Sequence, residues 1–126
     1  VDEAHVLLGA RNVLGAEFLA QMQRRARKYN TGTIIITQQP SDFAAPDVLV
    51  HGKAIFDNAS YYLVMGLKKQ AVDDLAKLID LNDNEIDSIK RYSQGEALFV
   101  CGNRRMRINV IVTDEELESF GSGGGL

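Results

Sequence analysis

Two short groups of polar residues in this sequence have the types and the spacing that phosphoryl-transfer chemistry needs. Asp2 and Glu3 form an acidic pair after an apolar residue, and Gln38 follows the β-branched run "TIIIT". In such chemistry an aspartate holds a hydrated magnesium ion, a glutamate accepts a proton from the attacking water, and an amide orients that water. We therefore predict Asp2 as the metal ligand, Glu3 as the general base and Gln38 as the water-orienting group.

A basic stretch, "QRRARKYN", could supply the positive charge that the transferred phosphoryl group needs. Arg24 and Arg27 are spaced to share a helix face, and either would stabilise the transition state from across a subunit interface as an arginine finger. Cations at a helix carboxyl end also interact favourably with the helix dipole. Arg27 and Lys28 could instead contact nucleic-acid phosphates. The residues alone leave these three interpretations open.

The elements that must position these groups alternate between strand and helix. Apolar residues recur at helical spacing from Asn12 to about Tyr29, and "NTG" then ends the pattern. The run "TIIIT" is typical of a strand covered on both faces. A strand, a helix and a second strand form a βαβ unit with a right-handed crossover, which predicts a parallel central sheet. The acidic pair and Thr37, Gln38 and Gln39 would then share the carboxyl edge of that sheet, where ligands bind.

The second half of the sequence predicts further helices and a hairpin. We expect a short helix over 48–56, a strand at "YYLVMGL", a helix over 70–79, and a last helix that begins at a capping box formed by Asn82 and Glu85. Two β-rich runs around "GN" predict a hairpin. Tyr61 and Tyr62 are better explained by a strand covered on both sides than by base stacking.

Composition is typical of one soluble globular domain. The 126 residues are 45% hydrophobic and 25% charged, with a net charge of −3, which argues against general affinity for nucleic acids. The sequence has no apolar run of membrane-spanning length and no secretory signal. We predict that the single cysteine, Cys101, is buried and packs as a small hydrophobic side chain. We assign residues 1–120 to the domain, whose first strand is expected to lack its first half, and residues 121–126 to a flexible Gly/Ser tail or linker.

Five stretches together resemble a known family: "VDEAHVLL", "RRARKYNTG", "TIIITQQPSDF", "AIFDNASYYLVMG" and "SQGEALFVCGNRRMRINVIV". In order and spacing they resemble the carboxyl-terminal half of conjugative-transfer and type IV secretion ATPases, the VirB/TraC/TraE-like branch of the HerA–FtsK superfamily. The resemblance implies an α/β fold, namely a partial RecA-like P-loop ATPase with a parallel central sheet, flanking helices and a C-terminal β-hairpin.

The resemblance also implies an activity and partners. Such an enzyme uses ATP and Mg²⁺, forms a homo-oligomer that is generally a hexamer, and works with other secretion-system components. It would be cytoplasmic and peripheral to the inner membrane, where it energises channel assembly and the transfer of DNA or protein. A contact between DNA and the basic helix end is a further expectation.

Individual residues take roles from the same resemblance. Asp2 matches the Walker B aspartate, Glu3 the catalytic glutamate and Gln38 the sensor glutamine. The family's basic motif is matched by Arg24, Arg27 and Lys28. The residues that the resemblance places near the nucleotide are Thr37, Gly95, Glu96 and Arg104 or Arg107.

The sequence departs from the family pattern at one place, because it contains no G-x-x-x-x-G-K-[ST] phosphate loop. The part with the P-loop is missing, so we expect the isolated chain to be inactive as an ATPase. Two alternatives remain. The letters "DEAH", with His5, also occur in a helicase group, although that group has a Ser-Ala-Thr type motif where this chain has Thr-Gln-Gln. The second alternative is a non-catalytic docking module derived from one half of an ATPase.

Overall fold

The computed structural model describes Asp2, Ala4 and residues 12–120, and for Arg27 and Phe120 it describes the backbone alone. Glu3, His5 and the tail at 121–126 lie outside the described residues, so the domain boundary at residue 120 stays a prediction. Across the described part of the chain, no helix combines the length and the apolar character that crossing a bilayer requires.

Among the described residues, the first half contains three helices and a 3₁₀ turn: α1 (Val13–Ala26), the turn Arg27–Tyr29, α2 (Ser41–Ala44) and α3 (Leu49–Asp57). The Asn12 side chain begins α1 by accepting a hydrogen bond from the Gly15 N–H at 3.1 Å. The predicted helices over 12–29 and 48–56 are thus confirmed. They enclose a first apolar cluster whose largest fully buried side chains are Leu19, Phe43 and Val48.

One close approach holds α2 against α3. Gly52 lies in α3, and a Cβ atom at this position would overlap the carbonyl oxygen of Phe43 in α2. The absence of a side chain therefore allows the two helices to pack backbone against backbone. Phe43 is buried on the other side of this contact.

The second half contains β1 (Tyr61–Met65), α4 (Lys69–Leu75), α5 (Asp83–Arg91), β2 (Glu96–Cys101), β3 (Arg104–Asn109) and α6 (Asp114–Phe120). The strands form an antiparallel sheet in the order β1-β2-β3. In its register Val64 faces Leu98, and Leu98 faces Arg107. A second apolar cluster lies between this sheet and helices α4 and α5, and it includes Val64, Val72, Ile89, Leu98 and Val100.

The predicted capping box and hairpin are both confirmed. The Asn82 side chain accepts from the Glu85 N–H at 2.9 Å, and the Glu85 carboxylate accepts from the Asn82 N–H at 3.0 Å. Gly102 and Asn103 form the turn between β2 and β3. Gly102 has φ of 56°, which fits a type II′ turn with glycine at its first central position.

The parallel central sheet is not what the described residues form, because the three paired strands are antiparallel. Residues 33–37 are neither helix nor paired strand within the described part of the chain, and the Ala4 N–H donates to the Ile36 carbonyl at 2.9 Å. Ile35 packs against the first cluster, whereas the side chains of Ile34 and Ile36 are 75% and 52% exposed. Burial on both faces was therefore a wrong prediction, since the described helices cover only the Ile35 side.

The tyrosine pair and the cysteine show the same one-sided burial. Tyr62 packs against the second cluster, donates its hydroxyl hydrogen to the Phe56 carbonyl at 2.5 Å, and has a pKa raised by this burial and by the nearby Asp57. Tyr61 is 63% exposed and stacks on Phe99 with ring centres 6.0 Å apart. Cys101, which faces Tyr61 across the sheet, is only partly buried. Cover on both sides was thus a wrong expectation for Tyr61, and full burial was wrong for Cys101.

Replacing Asn82 by Ala should destabilise the chain by about 1 kcal/mol, because the start of α5 loses a side-chain cap. The free energy of unfolding, from urea titration followed by circular dichroism, measures the loss. Asn84→Ala is the matched control, since Asn84 is exposed in the same helix turn and makes no cap. Equal unfolding midpoints for the two variants would show that the capping box does not stabilise the fold.

Candidate functional site

The start of the chain lies beside the segment that carries Gln38. The hydrogen bond from Ala4 to Ile36 brings these two parts of the chain into contact, and Ala4 itself is fully buried in the first cluster. Asp2 and Gln38 both have exposed side chains. The predicted proximity of the acidic and glutamine motifs thus has a backbone basis, while Glu3 lies outside the described residues.

A local turn fixes the loop after Ile36. The Thr37 hydroxyl accepts a hydrogen bond from the Gln39 N–H at 3.1 Å, as serine and threonine do in tight turns. Immediately afterwards α2 buries Phe43, whose N–H donates to the Pro40 carbonyl at 3.1 Å. Gln38 is therefore presented to solvent between two anchored points.

The basic stretch ends α1 at an exposed surface. Arg24 and Lys28 are exposed, and the Arg24 Nε donates to the Ala20 carbonyl of its own helix at 3.4 Å. Asn30 has φ of 50°, and the Thr31 N–H donates to the Ala26 carbonyl at 3.0 Å, which ends the helix. Arg24 thus has a contact within its own helix and access to solvent, and the capping and interface interpretations both stay open.

Gly95, Glu96 and Arg107 come together at one end of the hairpin. Gly95 has φ of 87°, and a Cβ atom there would lie 2.8 Å from the Val110 carbonyl oxygen, so glycine is required twice over. Glu96 forms an ion pair with Arg107, and the Arg107 guanidinium lies over the Tyr92 ring, 5.5 Å from its centre. Three of the residues predicted near the nucleotide therefore form one group.

Arg104 does not belong to this group. It faces Cys101 at the turn end of β3, whereas Arg107 faces Leu98 nearer the opposite end. Residues three apart along a strand are roughly 10 Å apart and project from opposite faces. Of the two arginines named as alternatives, only Arg107 lies with Gly95 and Glu96.

Two contacts of the hairpin were missed by sequence reasoning. The Ser93 N–H donates to the Glu96 carboxylate at 2.8 Å and fixes its position. Arg105 binds the Glu85 carboxylate and the Asp80 carbonyl, each at 2.8 Å, and so fastens β3 to the start of α5. The signal was the alternation in "RRMRIN", which places Arg105 and Arg107 on the same face of β3.

The chemistry of these residues fits magnesium ATP only in part. The Asp2 carboxylate is a hard oxygen ligand of the kind that Mg²⁺ takes. Within the described residues no group of three or more His, Cys, Asp or Glu side chains could hold a metal ion. The sequence also has no loop of backbone amides with a lysine to hold the phosphates. The chain thus has a carboxylate of the type that binds Mg²⁺, and its sequence contains no phosphate cradle.

Comparison with known proteins gives a similarity over nearly the whole chain. The chain superposes on VirB4 of Thermoanaerobacter pseudethanolicus with a TM-score of 0.85 and 33% sequence identity, over 93% of its own length and 31% of that chain. It is also 23% identical to an uncharacterized protein of Bacillus anthracis, over 98% of its own length and 20% of that protein. No protein-family model matches.

The similarity to VirB4 agrees with the resemblance to type IV secretion ATPases that the sequence motifs carry. The chain spans about a third of the VirB4 chain and a fifth of the Bacillus protein. It is therefore similar to one part of a VirB4 protein rather than to the whole.

The hairpin site makes a testable electrostatic prediction. The Ser93 N–H and then Arg107 lower the pKa of the Glu96 carboxyl. Because the folded-state pKa lies below the unfolded one, this carboxylate stabilises the fold at neutral pH and loses that effect as the pH falls through the folded pKa. In an NMR titration of the carboxyl carbon, Arg107→Met should raise the Glu96 pKa, but not to its ordinary value, because the Ser93 contact remains.

Glu116 is the internal control, since its pKa is lowered by Thr113 and not by an arginine. A Glu96 pKa that is the same in both proteins would show that Arg107 does not pair with it in solution. A pKa that rises equally at Glu96 and Glu116 would indicate a general loss of structure.

Proposed function

We propose that this chain is the part of a type IV secretion ATPase that carries its Walker B, sensor and arginine motifs. The observation that carries the proposal is the similarity to VirB4, at 33% identity over 93% of the chain. The order of the motifs in the sequence supports it independently, and the helicase alternative has no comparable support.

Each motif residue has a role in this proposal. Asp2 holds the hydrated metal ion, Glu3 accepts the proton of the attacking water, and Gln38 orients that water from the loop anchored by Thr37 and Phe43. When bound, magnesium ATP supplies the phosphoryl group that is transferred to water. Gly95, Glu96 and Arg107 form the second group toward the nucleotide. The Ser93 N–H holds the Glu96 carboxylate, which pairs with the Arg107 guanidinium.

The phosphate cradle must come from polypeptide outside these 126 residues. The complete protein would then act as a homo-oligomer, a hexamer when active, at the cytoplasmic face of the inner membrane. There it would work with other secretion-system components on a DNA or protein substrate. The exposed Arg24 and Lys28 are placed for a contact with a neighbouring subunit or with DNA phosphates.

In the complete polypeptide, Glu3→Gln should leave ATP affinity nearly unchanged and lower kcat by at least ~10²-fold, because a general base is lost. Asp2→Ala should weaken magnesium-dependent ATP binding as well. Steady-state hydrolysis and ATP calorimetry separate the two effects. Asp87→Asn is the matched control, since Asp87 is an exposed carboxylate on α5. Similar, mild losses of ATP hydrolysis in all three variants would show that Asp2 and Glu3 are only solvated carboxylates at the end of a strand.

The finger hypothesis is tested by mixing variants of the complete polypeptide. Arg24→Ala should abolish hydrolysis without loss of nucleotide affinity, because the arginine acts only in the transition state. Mixing it with Glu3→Gln should restore part of the activity, since some sites then combine an intact glutamate with an intact arginine from the neighbour.

Arg91→Ala controls for a capping role, because Arg91 lies in the last turn of α5. Capping predicts only the ~0.3–1 kcal/mol that a cation contributes at a helix carboxyl end. Absence of rescue at every mixing ratio, with subunit exchange shown by a tag pull-down, would remove Arg24 from the catalytic assignment.

A further inference from the structure

An apolar groove lies beside the basic end of α1. Its cavity of about 390 Å³ lies between this helix and Thr31 and Thr33, which follow it, and is open to solvent. Phe18, Met22 and Tyr29 are among its apolar lining residues, and Arg25 also lines it. Tyr29 is 76% exposed and Phe18 is also exposed, so the described fold leaves this groove open.

Arg25 lines the groove, and we call it and its basic neighbours at the end of α1 the rim, which forms no ion pair within the described residues. Arg24, Arg25 and Lys28 are all exposed. The ion pairs found within residues 12–120 use other cations, namely Lys77, Lys90, Arg105 and Arg107. An apolar groove with an unpaired basic rim is complementary to a segment that carries apolar side chains among carboxylates.

Helix α6 is such a segment. Its sequence "DEELESF" has four carboxylates around Leu117. The Thr113 N–H donates to the Glu116 carboxylate at 2.9 Å, and the Glu116 N–H donates to the Thr113 hydroxyl at 3.3 Å, so the helix start is capped. Residues 113–119 are nevertheless exposed throughout. A helix this short is marginal in water without packing, so α6 is suited to gain stability from a partner surface.

We infer that the acidic helix α6 of one copy docks, with Leu117 leading, into the basic groove at the end of α1 on a second copy. In the described residues of one chain both surfaces are exposed and no ion pair joins them, so the contact is not made in cis. Groove and helix are different surfaces, so the contact is heterologous and repeats from copy to copy into a ring or an open filament. This inference concerns assembly and does not depend on ATP hydrolysis by the chain.

Sedimentation velocity of the 126-residue chain over a range of concentrations tests the contact. The unaltered chain should associate, and Arg25→Glu or Glu118→Arg should each weaken association by at least about tenfold, because each reverses one side of the charge pairing. An equimolar mixture of the two variants should associate again, since each helix then meets a groove of opposite charge. Salt should weaken association of the unaltered chain.

Matched charge reversals elsewhere on the surface are the controls. Lys53→Glu on α3 and Asp87→Arg on α5 change exposed residues that form no ion pair within the described residues, and they should leave association unchanged. Unchanged urea midpoints should confirm that all four variants remain folded. A labelled peptide of residues 113–120 should bind the unaltered chain, bind Arg25→Glu at least about tenfold more weakly, and bind better than a scrambled peptide of the same composition.

Other occupants of the groove give distinct results, each of which would overturn the inference. A chain that is monomeric at every concentration but still binds the peptide would place the docking in cis. Association that survives both charge reversals and is lost in Leu63→Glu would place the contact on the exposed face of the sheet, which carries Tyr61 and Leu63. Loss of single-stranded oligonucleotide binding in Arg25→Glu, with peptide binding absent from the unaltered chain, would make the rim a phosphate contact.

Discussion

The aromatic ring of Phe56 joins the two halves of this fold. It packs against both apolar clusters, meeting Phe43 edge to face at 5.6 Å and stacking on Tyr62 at 6.1 Å between ring centres. The Phe56 carbonyl also accepts a hydrogen bond from the Tyr62 hydroxyl. Aromatic pairs of this kind contribute about 0.5–1.5 kcal/mol each beyond the area that they bury. The relative position of the helical half, which carries Gln38, and the sheet, which carries Arg107, depends on Phe56 together with Ile79, which also packs against both clusters.

The sequence predicted local structure well, because its signals lie between near neighbours. Asn82 and Glu85 cap α5 from three residues apart, and the turn at Gly102 sets the register of the hairpin. That register even places Glu96 and Arg107 as diagonal neighbours on one face, so their ion pair could have been derived from the turn alone. The ion pair was missed because the register was not extended from the turn to Glu96 and Arg107.

Burial of the extended segments could not be predicted in the same way. A continuous apolar run such as that around Ile35 indicates that both faces of the segment can be buried. It does not specify which part of the polypeptide buries each face. In the described chain, α1, α2 and α3 cover one side, and Ile34, Ile36 and Tyr61 remain exposed. The candidate site has the same character: the sequence proposes single residues by their type, whereas the direction of an exposed arginine such as Arg24 has no local signal.

Gly52 has a consequence for how this molecule tolerates sequence change. Because its backbone touches the Phe43 carbonyl, any side chain at position 52 must force α2 and α3 apart. The loop that presents Gln38 ends where α2 begins, at Pro40. A substitution on α3 would therefore move the loop without touching it, by steric transmission through a short helix. Natural variation at position 52 should be limited to glycine wherever the placement of Gln38 is under selection, even though Gly52 has no chemistry of its own.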